Sequence, residues 1–179
     1  MSAWTRIQHI EVPTGGQSTI EFTNIAQTPY TDLVILGSVR GDGTLGLGNF
    51  TWNMSINGVT TNRTWRFLYG SSSNGSINGT GGIMAALPDA NSASNTFASF
   101  QIYIPNYSGN TNKTISLENV AQSNSTAIFE LDMFSGRWES TAAITSLSLS
   151  LSNATNFVQY SSATLYGITK GSSGGVVVS

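Results

Sequence analysis

The sequence predicts an all-β chain folded as an antiparallel β-sandwich, and three observations carry that expectation. Apolar and polar residues alternate with period two in run after run. Clusters of Gly and Asn separate the runs. The one stretch with helical potential, 89–97, is built from small polar residues and reads as a loop. Successive side chains of a strand point to opposite faces, so period two places one face on a core and the other in water. That one-sided burial is the habit of antiparallel sheet.

The elements follow in chain order. Ile20 and Phe22 flank Glu21. Phe50, Trp52, Met54 and Ile56 alternate with Thr51, Asn53 and Ser55, which puts four large side chains on one face. Phe100, Ile102 and Ile104 alternate with Gln101 and Tyr103, and Pro105, with no amide hydrogen, is expected to end that strand. Phe129, Leu131 and Met133 alternate with Glu130 and Asp132, so the three apolar residues are expected on a core and the two acids in water. Leu147, Leu149 and Leu151 alternate with serines. Thr14–Gln17, Arg40–Gly43, Asn57-Gly58, Asn74-Gly75, Asn78-Gly79 and Gly109-Asn110 supply turn residues that tolerate positive φ. Asn57-Gly58, directly after Ile56, is the strongest hairpin signal. About ten strands are expected at this spacing. Leu68-Tyr69-Gly70 recurs as Leu165-Tyr166-Gly167, which reads as two strand ends and not as a duplication. Residues 1–170 form the sandwich, and 171–179 form a Gly/Ser-linked tail ending in Val176, Val177 and Val178.

Composition bounds the function. The chain has 179 residues and no cysteine, so it needs a core without disulfide staples, and a domain of this size buries roughly 70% of its unfolded surface. Charged residues are 9% of the chain, well under the usual share of about 25%. Hydrophobic residues at 39% and a net charge of −2 argue against disorder. Seven basic residues, scattered, give no cationic stripe for nucleic acid. No apolar run approaches the ~18 residues of a membrane-spanning helix. Met1 to Arg6 lacks the charged and apolar regions of a secretory signal, and a chain that is not exported is expected.

Chemistry is sparse. His9 is the one histidine and lies in the first expected strand, with no second histidine or cysteine to complete a zinc set. The nine acids are dispersed, and Glu21, Glu130 and Asp132 fall on polar strand faces, unlike the facing pair of a glycosidase. Gly41 to Gly48 lacks the lysine and following helix of a phosphate loop and reads as a long hairpin or an inter-sheet loop. Its lone Asp42 is short of the oxygens calcium takes. The Asn-x-Ser/Thr tripeptides, such as those at Asn53, Asn62, Asn106 and Asn124, reflect composition. Trp52, Trp65 and Trp138 are expected in core or rim packing, and Trp4 is the exception. No catalytic residue, metal or cofactor is expected.

One ordered set of segments carries a resemblance. Ile20-Glu21-Phe22, Tyr30 to Ile35 and Gly37 to Arg40 open it. Phe67 to Gly70, Ile102 to Tyr107 and Phe157 to Ser161 continue it, and Ala163 to Ile168 closes it. The set, spread over nearly the whole chain, resembles small virion proteins of tailed bacteriophages, cyanobacterial ones among them. That resemblance implies a jelly-roll sandwich on the outside of a phage particle, serving as a capsid cement or decoration protein, commonly trimeric, or as a tail-fibre or tailspike tip. A chain that starts at Met1 and carries no heptad or triple-helical repeat favours the capsid, with the major capsid protein or other virion subunits as partners. Edge strands without lysine or proline guards favour a symmetric homo-oligomer, expected to be a trimer. Trp4 and Arg6 at one end and Val176, Val177 and Val178 at the other are the expected assembly contacts. A fibre tip that binds host glycan is the rival reading, with Tyr103, Tyr107 and Trp138 as its stacking residues.

Overall fold

Twelve strands organise the chain in the computed structural model, which describes residues 4–47, 51–71, 73–124, 129–152 and 155–169; no helix occurs among them. The strands are β1 (Trp4–Glu11), β2 (Thr19–Phe22), β3 (Asp32–Val39), β4 (Thr51–Ile56), β5 (Arg63–Gly70) and β6 (Asn74–Thr80). They continue with β7 (Ile83–Met84), β8 (Ala98–Ile104), β9 (Lys113–Gln122), β10 (Phe129–Trp138), β11 (Leu147–Leu151) and β12 (Ser162–Ile168). Phe50 and the tail 170–179 lie outside the described residues.

All pairings between these strands are antiparallel, in two sheets. The larger has the order β1-β12-β3-β8-β9-β10-β5-β6 and the smaller β2-β11-β4-β7. Setting aside β5, β6, β9 and β10 leaves eight strands. Their order is first-eighth-third-sixth in one sheet and second-seventh-fourth-fifth in the other. This is the jelly-roll winding of two Greek keys. The other four strands are two inserted hairpins, β5–β6 between the fourth and fifth jelly-roll strands and β9–β10 between the sixth and seventh. Together they extend the larger sheet beyond β8.

The core lies between the sheets. Trp52, fully buried, meets the Phe100 ring edge-on at 4.6 Å and Phe157 at 6.4 Å. Ile20, Phe22, Met54, Ile56, Leu147 and Leu149 face Leu33, Ile35, Ile102 and Ile104 from the opposite sheet. Alternation read from the sequence therefore holds in β2, β4, β8 and β11, with Glu21 exposed as expected. Ile104 ends β8 before Pro105. Residues 89–97 are loop, and Arg40 ties them down through its guanidinium, which donates to the carbonyls of Ser92, Ala93 and Thr96.

Three turn readings are corrected. Asn57 and Gly58 do turn the chain, with φ of 51° and 77°, but a single bridge from Ile56 to Val59 follows. The chain then crosses to the other sheet, because β5 finds its partners in β10 and β6. Asn57 instead fastens the entry to β11: its Nδ2 donates to Ala143 O, and its Oδ1 accepts from the amides of Thr145 and Ser146. Asn74-Gly75 and Asn78-Gly79 lie inside β6 and are not turns. The rings of Tyr69 and Trp65 cover Gly75 and Gly79 across the pair, where a Cβ would come within 2.5 and 2.7 Å of them. This is how aromatic residues compensate glycines on an edge strand.

The acids and apolar residues of β10 are also the reverse of the expectation. Asp132 is fully buried and Glu130 half-buried, while Phe129, Leu131 and Met133 are exposed. Phe134 and Trp138 on the same strand fall in the opposite phase and are buried. The ten residues pair with β9 without a shift of register, so no bulge lets the strand change faces midway. One apolar set must then face outward, and the larger rings of the second half hold the core.

Candidate functional site

The exposed apolar side chains gather on the inserted hairpins. Among the described residues ten large hydrophobic side chains are exposed, and six of them, Leu68, Ile77, Val120, Phe129, Leu131 and Met133, belong to β5, β6, β9 or β10. Leu68, Val120, Phe129, Leu131 and Met133 share the outer face of the larger sheet, being 49 to 61% exposed. Register makes them neighbours. Val120 lies opposite Leu131, and Met133 opposite Leu68. Directly paired residues on one face of antiparallel sheet have Cβ atoms about 5 Å apart, so these four form one patch. A groove of about 570 Å³ runs from Val120, Leu131 and Met133 across Gln101 and Ser99 to Leu36 on β3.

Charge frames the patch. Glu118 stands opposite Met133 on the β9 side, and Arg66 sits two residues before Leu68 on β5. Arg137 on the same face is already bridged to Glu139 at 2.5 Å. Arg66 and Glu118 make no ion pair among the described residues.

Directly beneath, on the inner face of β10, sits a carboxyl pair. Asp132 Oδ2 accepts from the Ala86 amide at 2.7 Å and from Asn119 Nδ2 at 2.9 Å, while Asn119 Nδ2 also donates to Ala86 O at 2.8 Å. The segment after β7 is thereby clamped to β9 and β10. Burial, then the charge of Asp132 and a hydrogen bond with it, push the Glu130 pKa up to about 7. Burial also raises Asp132, against hydrogen bonds from Ala86, Asn119 and Glu130 that lower it.

The residues singled out from sequence are dispersed. Trp4 and Arg6 do not form an arm ahead of the first strand; they lie within β1, both exposed. Trp4 packs its ring 5.9 Å from Tyr166 on β12, so it already has a neighbour in its own sheet. Val176, Val177 and Val178 lie outside the described residues. The glycan platform is not assembled. Tyr107 is fully buried with its hydroxyl donating to Ala26 O, and Trp138 is 3% exposed. Neither presents a ring face for a sugar. Tyr103 is half-buried, and its hydroxyl donates to Asp32 Oδ2 at 2.9 Å. His9 is exposed on β1, its Nδ1 2.8 Å from Thr164 Oγ1.

Each run taken by itself hides the patch residues, because local alternation in β10 points Phe129, Leu131 and Met133 at the core. The signal that could have found them is the conflict of phase between Phe129-Leu131-Met133 and Phe134-Trp138 within one uninterrupted strand.

No family model, no curated protein and no solved structure matches the chain.

Proposed function

We propose that the protein is a bacteriophage virion component that works by binding and not by catalysis, a cement or decoration protein seated on the outer capsid surface. The observation that carries a binding role is the concentration of exposed apolar side chains on one face of two hairpins inserted into an otherwise well-covered jelly roll. Contiguous apolar surface of this kind marks interaction sites. The capsid assignment rests on the ordered resemblance from Ile20 to Ile168, and the jelly-roll winding agrees with it. A low-charge surface suits a permanent seat among other subunits. The fibre-tip reading has lost two of its three stacking residues to the core.

Copy number tests this reading. Quantitative gel analysis of purified particles of the phage that encodes the chain is expected to give hundreds of copies per virion. A handful of copies would move the protein to the tail, and its absence from particles would defeat the proposal.

A further inference from the structure

We infer that the outer face of β9, β10 and β5 is a self-association surface, pairing with a second copy of the chain about a two-fold axis that passes between Met133 and Leu68. Glu118 of each copy then lies over Arg66 of the other.

The first support is charge. Glu118, Met133 and Leu68 form one row across three strands, and Arg66 lies one row away on the Leu68 strand. Two strand spacings and two residues of rise separate Glu118 from Arg66 by about 12 Å, too far to pair within one chain. An in-plane two-fold axis between Met133 and Leu68 exchanges the two positions. It also lays Met133 of one copy against Leu68 of the other. An unpaired anion and an unpaired cation flanking an exposed apolar row are thus satisfied together by a copy of the same face. Such an interface is isologous and closed, so it does not grow into a fibre. With a net charge of −2, little repulsion opposes it.

The second support is area. Five strands, β8 to β6, carry this face, and β9 and β10 are ten residues long. With 42 residues in the five strands, about 4.8 Å between strands and about 3.4 Å per residue, the face is on the order of 700 Å², close to the roughly 800 Å² share of one partner in a standard-size interface.

Three of the four sheet edges need little cover: β2 and β7 are four and two residues long, and β1 shifts register between Arg6 and Gln8, while β6, seven residues in unbroken register with β5, is the one regular edge. Short and irregular edges already resist pairing.

The experiment is sedimentation equilibrium of the full chain over a hundredfold concentration range. Two protomers are expected. Leu131→Asp with Met133→Asp is expected to give a folded monomer that melts at the temperature of wild-type protein diluted until it dissociates, since both side chains point outward. Arg66→Glu or Glu118→Arg alone is expected to weaken association at least tenfold, and the two together to restore it. A monomer at every concentration, a trimer mass, association indifferent to the paired aspartates, or no rescue by the double charge exchange would each overturn the inference. Particle binding is scored separately: a monomeric wild-type chain that still coats virions would sink the pairing and leave the virion reading intact.

Discussion

The jelly-roll strands and the inserted hairpins belong to one continuous sheet, yet they treat their outer faces differently. Over the jelly-roll part the chain covers itself. Trp4 lies against Tyr166, and Tyr103 reaches Asp32, whose other oxygen accepts from the Asn106 amide. Val34, on that outer face, is almost fully buried. Over β5, β9 and β10 nothing equivalent covers Leu68, Val120, Leu131 and Met133 among the described residues. Both parts bury their inner faces well, with Trp65, Phe67, Phe134 and Trp138 in the extension. Insertion of hairpins between strands of a closed winding therefore adds a new surface to the sheet without opening its core. The buried rings and the exposed apolar patch lie on opposite faces of the same added strands.

Core substitutions sharpen that comparison most. Trp52→Ala removes the ring that Phe100 and Phe157 meet edge-on, and is expected to cost about 3–5 kcal/mol. Leu131→Ser, on the outer face of the extension, is expected to stay within about 0.5 kcal/mol in a monomer. Chemical denaturation of both variants checks this. Equal losses would break the division between the two parts.

Two glycines repeat the test at smaller scale. A Cβ on Gly37 in β3 would meet the Phe100 ring at 2.2 Å and Ser162 O at 2.9 Å. Phe100 is pinned by Trp52 and cannot yield, so Gly37→Ala is expected to cost about 1–3 kcal/mol. Gly70 in β5 has nothing within 4 Å of such an atom. Gly70→Ala is expected to raise stability by about 0.5 kcal/mol, chiefly by restricting the unfolded chain. Thermal melting of the pair separates the two outcomes.

The difference between the two parts also governs what the sequence makes legible. In β2, β4, β8 and β11 one apolar set alternates with one polar set, so period two names the buried face without further information. In β10 two apolar sets compete, and Phe129-Glu130-Leu131-Asp132-Met133 taken alone points the wrong way. The deciding facts are remote: Phe134 and Trp138 must meet the core, and Ala86, 46 residues away, supplies the amide that makes a buried Asp132 tolerable. Leu68-Tyr69-Gly70 and Leu165-Tyr166-Gly167 make the same point. Both end strands, as read, but Leu68 faces out and Leu165 in, because each phase is set by the sheet around it. The patch was thus illegible for a physical reason: exposure is a property of what the fold leaves uncovered, which local periodicity does not contain.

The smallest expected effect concerns the carboxyl pair that underlies the patch, and its sign is fixed. Glu130 holds its proton up to about pH 7 in the folded chain, against an ordinary value of 4.5. Asp132 is raised as well. Between pH 4.5 and about 7 the folded state therefore carries more protons than the unfolded one. Stability must then fall as pH rises through that window and level off above it. The groups on the strands beside the pair do not offset this: Asn119 and Ala121 on β9 are uncharged, and Tyr69 on β5 is opposite Asp132. Glu130 is half-exposed, so solvent screens it and the slope is expected to be shallow. Denaturation midpoints at pH 5 and pH 8 measure it. Glu130→Gln, which keeps a donor toward Asp132 and removes the titration, is expected to flatten most of the slope. It leaves Phe129, Leu131 and Met133 on the far side of the strand unchanged, so self-association of the variant at pH 5 is expected to match the wild type. A wild-type chain more stable at pH 8 than at pH 5, with the slope surviving Glu130→Gln, would show that β10 buries its acids in a different protonation state.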